Sequence, residues 1–181
     1  MGNHDRAVED VKLRDSFNEW AKAAIEWTAR VLDQKEKAFL RAFLPIVIDQ
    51  EEDITWTHGS VHETEEFHYL FDIPEAEKSF QKLETRFCFF GHTHIPSIFS
   101  EKAGEVQYLP AGTYRLSGKD RYLINPGSVG QPRDRNPELS FAFFDSKEFS
   151  LEIVRLDYDN QKAAEKIRKA GLPDFLADRL L

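Results

Sequence analysis

Two alternating patterns in the sequence predict an α/β fold. Apolar residues recur at helical spacing through residues 18–33 and 35–44, and short unbroken apolar runs such as Phe87-Cys88-Phe89-Phe90 stand between such stretches. Runs of this kind, closed by turn residues, mark strands buried on both faces. A third observation concerns the polar residues. Two strands end directly in histidine and glycine, as His58-Gly59 and as Gly91-His92-Thr93-His94. Open α/β sheets build their ligand sites at the carboxyl ends of strands.

The elements follow in order. Met1-Gly2-Asn3-His4-Asp5 has the character of a strand-exit loop, although no strand precedes it; the bland expectation for a terminus is an unordered tail. Asn18 can cap a helix to about Asp33, with Trp20, Ala23, Ala24, Trp27 and Val31 on one face. Lys35 to Leu44 reads as a second helix with Phe39, Leu40 and Phe43 as its stripe, and both stripes are expected in the core. Pro45 to Ile48 and Ile54 to Thr57 read as strands around the acidic turn Asp49 to Asp53. Glu63 to Phe71 looks helical, with His62 and His68 as surface or packing residues. Asp72 and Pro74 form a cap and first turn for a helix reaching about Glu84. Short strands are then expected at Arg86–Phe90, Ile95–Ser100, Val106–Leu109 and Tyr122–Ile124, followed by a Pro- and Gly-shaped loop from Asn125 to Asp134. Leu139–Phe144 and Phe149–Leu156 make a hairpin, and Gln161–Ala170 a helix capped by Gly171 and stopped by Pro173.

Composition bounds the rest. The 181 residues suit one domain, 1–181, and 41% hydrophobic against 31% charged residues fits a soluble globular chain. Twenty-four basic against 32 acidic residues give a net charge of −8, which disfavours broad binding to nucleic acid or anionic membrane. Cys88, the single cysteine, lies in an apolar run and reads as a small buried hydrophobe. No signal peptide or spanning apolar run appears, so a cytoplasmic protein without a membrane partner is expected.

His92 and His94 alone could be two solvated loop residues. Parallel strands, however, would gather the loops bearing Asn3 and His4, His58, and His92 and His94 at one sheet edge. Mixed nitrogen and oxygen donors of this kind suit Mn, Fe, Ni or Zn better than Ca or Mg. The spacing of a zinc finger is absent.

Gly2-Asn3-His4-Asp5, His58-Gly59 and Gly91-His92-Thr93-His94, in that order, resemble the last three of five signature motifs of the calcineurin-like metallophosphoesterases. Asn125-Pro126-Gly127-Ser128 is similar to a loop of the small bacterial and archaeal phosphodiesterase branch, and Ala24–Thr28 with Phe39-Leu40 to its first helices. The resemblance implies a four-layer α/β/β/α sandwich with two mixed sheets. It implies a dinuclear site of two divalent ions (Mn, Fe, Ni or Zn) that hydrolyses a small-molecule phosphate ester by attack of a metal-bound hydroxide. Asn3, His58 and His92 match ligands of the second ion and His94 a ligand of the first. His4 matches the general acid, Asp5 its orienting partner, and Arg133 a weak candidate for a phosphate contact. The first two motifs have no counterpart, so an N-terminally truncated domain with a partial metal site is expected, without the first strand–helix–strand units. Such a chain would be inactive unless the ligands come from elsewhere. The alternative is a non-catalytic scaffold or binding module of the same fold, as in the retromer subunit.

Overall fold

The computed structural model describes residues 1–181. In chain order the helices are α1 (Asn3–Ala7), α2 (Val11–Arg14), α3 (Glu19–Val31), α4 (Gln34–Arg41), α5 (Ile73–Lys82), α6 (Asn160–Lys169) and α7 (Asp174–Asp178). The strands are β1 (Ile46–Asp49), β2 (Ile54–Thr57), β3 (Phe87–Phe89), β4 (Ser97–Lys102), β5 (Glu105–Leu109), β6 (Thr113–Arg115), β7 (Arg121–Asn125), β8 (Leu139–Asp145) and β9 (Ser150–Leu156). They fall into two compact units: Pro45–Tyr158, and Met1–Leu44 together with Asp159–Leu181.

The larger unit is built on a six-stranded mixed sheet, ordered β1-β2-β3-β7-β4-β5, and a three-stranded sheet, ordered β6-β9-β8. The α/β expectation therefore holds. At the centre, β2, β3 and β7 run parallel, with Trp56 opposite Phe89 and Phe89 opposite Ile124. Side chains alternate across a strand, and here both faces are apolar. Phe87, Phe89, Tyr122, Ile124 and Ile98 face one way, into a core completed by Leu151 of the second sheet. Cys88, Leu123 and Phe99 face the other way, against Ala76 and Phe80 of α5. Burial on both sides is why these strands read as continuous apolar runs. Burial also raises the Cys88 thiol far above its ordinary range.

The helical unit shows local caps, one at Asn18 as the sequence announced and one at Asp33, which the sequence had placed at the end of the first helix. Asn18 Oδ1 accepts from the Ala21 N–H at 2.9 Å, and Asp33 Oδ1 accepts from the Lys35 and Glu36 N–H groups at 2.7 and 2.9 Å. The apolar stripes fare differently. In α3 the buried residue is Ile25, outside the expected stripe, while Trp20 and Val31 of that stripe are exposed, and Phe39 of α4 is 66% exposed. The stripe of α4 is thus no core face: α1, the helix that packs on α4, has only five residues and is too short to cover it.

Three further expectations are corrected. Residues 3–7 form a helical turn rather than a loop or tail, because Asp5 Oδ2 accepts from the Gly2 N–H at 2.9 Å and Ala7 is buried. Residues 63–71 hold only a 3₁₀ turn at Thr64–Glu66, bracketed by Glu63 and Phe67 in the left-handed region at φ 47° and 55°. Burial of Phe67 and Leu70, and the Ser60 N–H bond to the His68 carbonyl at 3.0 Å, draw this segment out instead. The helix that ends before Gly171 and Pro173 is not the terminal one, because Pro173 stands at the start of a further short helix, α7.

Two outcomes follow. Phe87→Ala should lower stability in urea unfolding by about 3–5 kcal/mol, whereas Phe39→Ala should change it by about 0.5 kcal/mol or less. Cys88 should not react with a thiol-specific disulfide reagent at pH 8 in the native protein, and should react fully after denaturation, because the buried thiol stays protonated there.

Candidate functional site

The parallel pairing of β2, β3 and β7 places their carboxyl ends at one edge of the large sheet. His58 leaves β2, the His92–His94 loop leaves β3, and Asn125 ends β7. Strand β4 runs antiparallel to β7 and starts at that same edge, with Ser97 opposite Asn125. The His92–His94 loop therefore bridges the end of β3 and the start of β4, across the end of β7.

The loop is tied down at several points. The Gly91 N–H donates to the His58 carbonyl at 2.9 Å, and the Phe90 N–H to the Ile124 carbonyl at 2.9 Å. The Thr93 N–H closes a tight turn on the Gly91 carbonyl at 2.7 Å, with His92 at φ 65°. His94 also has a positive φ, 59°. Side chains seldom adopt such values unless the surroundings hold them there.

Asn125 is what holds them. Its side chain is fully buried. Its Nδ2 donates to the Gly91 carbonyl and to Thr93 Oγ1, each at 2.9 Å, and its Oδ1 accepts from the Gly127 N–H at 2.9 Å. Both amide protons are thus spent on the histidine loop. The sequence marked Asn125 only as the first residue of a shaped loop. The missed signal was an Asn at the end of an otherwise apolar strand, where a buried amide needs partners. Gly127 is required by its φ of +87° and by Ser140, whose Cβ would lie 2.6 Å from a Cβ added there.

The His58 loop is equally supported. Ser60 Oγ pairs with Ser79 Oγ of α5 at 2.7 Å, both buried. A Cβ on Gly59 would lie 2.9 Å from the His68 carbonyl oxygen, so only glycine lets the 67–71 segment approach this closely. That segment lays the Tyr69 ring flat on His92, centroids 3.9 Å apart, and sets Phe67 edge-on to His58 at 5.9 Å.

The result is a pair of converging imidazoles. His58 Nε2 and His92 Nδ1 are 3.1 Å apart. Two nitrogens on one ion, each about 2.0–2.1 Å from it, stand roughly 2.8–3.4 Å apart at right-angled to tetrahedral geometry. The pair fits two positions on one divalent ion, although no third His, Cys, Asp or Glu side chain joins it in a closed ligand group. His94 Nδ1 donates to the Gln131 carbonyl at 2.8 Å. A backbone acceptor on Nδ1 fixes the tautomer and the ring orientation, as such bonds do for metal-binding histidines.

Arg133 lies beside His94: its N–H donates to the His94 carbonyl at 3.2 Å, and Nη2 donates to Gln131 Oε1 at 3.0 Å. That partner is a neutral amide, so it leaves the guanidinium charge uncancelled. Asn3, His4 and Asp5 lie in the helical unit on α1, where His4 meets Phe17 edge-on at 5.1 Å and Asp5 caps Gly2. His62 and His68 both face the Glu63 carboxylate, at 3.4 and 3.0 Å, as packing residues would.

Residues 1–148 match the calcineurin-like phosphoesterase superfamily domain. The chain belongs to that superfamily. An uncharacterized protein of Methanocaldococcus jannaschii is 39% identical over 99% of this chain and 73% of its own length. A crystal structure of a metallophosphoesterase from Sphaerobacter thermophilus, 33% identical, superposes with a TM-score of 0.81 over 99% of this chain and 74% of its own. A hypothetical protein from Pyrococcus horikoshii, 18% identical, shares the fold at a TM-score of 0.73, over 99% of this chain and 70% of its own. The superfamily uses divalent metal ions and acts on phosphate esters. No helix is long and apolar enough to cross a membrane.

Asn125→Asp keeps the shape but removes both donors to the histidine loop. It should cost about 1–3 kcal/mol in urea unfolding. It should also weaken Mn²⁺ affinity by about 10–100-fold in calorimetric titration, as loss of a ligand-orienting contact does.

Proposed function

We propose that this chain is a metal-dependent phosphoesterase acting on small phosphodiesters. The observation that carries the reading is the 3.1 Å convergence of His58 Nε2 and His92 Nδ1 at the carboxyl edge of the parallel strands. His58 and His92 would hold one divalent ion, and His94, through Nε2, would serve the other ion of a dinuclear site. For Asn3, His4 and Asp5 the reading rests on the Gly-Asn-His-Asp motif, which suggests a metal ligand, a general acid and its orienting partner.

A bound divalent ion supplies Lewis acidity toward a phosphoryl oxygen. The chain's own residues do the rest. Arg133 offers a guanidinium suited to a phosphate oxygen, and its Gln131 partner is one a phosphate could replace without breaking an ion pair. His4, if it protonates the leaving oxygen, must carry its proton at the working pH; a fall in rate at higher pH would then report its loss. The net charge of −8 favours a compact substrate over a long polyanion.

With Mn²⁺ added, the protein should hydrolyse bis(4-nitrophenyl) phosphate, and His92→Ala should lower kcat/KM by at least about 100-fold with its circular dichroism intact. Unchanged turnover in His92→Ala, or turnover without metal, would overturn the assignment. No turnover in either protein would favour a non-catalytic scaffold.

A further inference from the structure

Beside the imidazole pair stands an aromatic ladder that the proposed chemistry does not use. Tyr69 lies flat on His92 at 3.9 Å and 16° between planes. Phe71 stacks on Tyr69 at 5.2 Å and 11°. Three rings thus run nearly parallel, outward from a candidate metal ligand. Tyr69 is 44% exposed and Phe71 56% exposed. Their neighbour Leu70 is almost fully buried, which fixes the segment, and the stacking of the two rings puts them on one side of it. Exposed rings are costly to leave in water, and a stacked pair in a fixed orientation is a ready platform for another flat ring.

We infer that Tyr69 and Phe71 form a stacking subsite for a planar aromatic group carried by the phosphate ester. This rests on the phosphoesterase reading and narrows its substrate class to aromatic esters, either nucleotides or aryl phosphates. The spacing of the rings, 3.9 Å from His92 to Tyr69 and 5.2 Å from Tyr69 to Phe71, sets the ladder beside the imidazole proposed to hold the phosphate. Stacking also suits the charge of the segment. Glu63, Glu65, Glu66 and Asp72 surround these aromatics in sequence. They would repel a second phosphate, but not an uncharged ring.

The test uses ring-proton NMR of the whole chain without added metal, so that it stands apart from turnover. The probes are AMP, 4-nitrophenyl phosphate and ribose 5-phosphate. The expected result is that AMP, 4-nitrophenyl phosphate or both shift the Tyr69 and Phe71 ring resonances upfield. Ribose 5-phosphate should not, and Phe71→Ala should weaken the aromatic probe's affinity about tenfold. A response to AMP alone assigns a nucleobase, and to 4-nitrophenyl phosphate alone an aryl group. No shift with either aromatic probe, shifts of equal size with ribose 5-phosphate, or unchanged affinity in Phe71→Ala would overturn the subsite. Loss of Mn²⁺-dependent hydrolysis with the ring shifts intact would refute the phosphoesterase reading instead.

Discussion

The buried amide of Asn125 is the constraint on which the candidate site depends. Parallel pairing brings three strand ends to one edge, but pairing alone does not aim side chains. Asn125 spends both amide protons on Gly91 and Thr93 and its oxygen on Gly127. It thereby joins the end of β7 to the loop from β3, and holds His92 and His94 in backbone conformations that a free loop would leave. In a buried setting these bonds have no water to replace them. The cost of breaking them is what makes the loop geometry unique.

A second layer of support reaches the same histidines from the other side. The 67–71 segment is pulled close by Gly59, fastened at Ser60 and His68, and filled by Phe67 and Leu70. It gives His92 a flat aromatic backing and His58 an edge contact. Each ring is therefore fixed by packing as well as by hydrogen bonds. Fixed ligands bind metal with less loss of side-chain freedom, the usual advantage of preorganisation. The proposed metal role gives this arrangement a purpose that accords with membership of the calcineurin-like phosphoesterase superfamily.

Much of this was legible in the sequence, for definite reasons. Phe87-Cys88-Phe89-Phe90 reads as a strand because both its faces are covered, Phe87 and Phe89 by the second sheet and Cys88 by α5. Asn18 and Asp72 announce helix starts because capping is a local bond. Properties that depend on distant partners stayed hidden. The stripe containing Phe39 follows a core pattern, yet nothing long enough covers it. Residues 63–71 carry helical spacing, but Phe67 and Leu70 serve the core from a non-helical segment. Three-residue β6 is too short to leave a pattern, and exists because β9 offers it an edge. His58, His92 and His94 were legible as a set, but the convergence of the first two depends on strand register.

His58, His92 and His94 are the proposed metal ligands, and His62 and His68 are not. The most direct measurement is the imidazole ¹⁵N shift of every histidine during titration with Zn²⁺, a diamagnetic probe. Large shifts are expected at His58 Nε2, His92 Nδ1 and His94 Nε2 at low metal, with His62 and His68 unmoved. Shifts that begin at His62 and His68, or no shift at His58 and His92 under saturating metal, would contradict the proposed assignment.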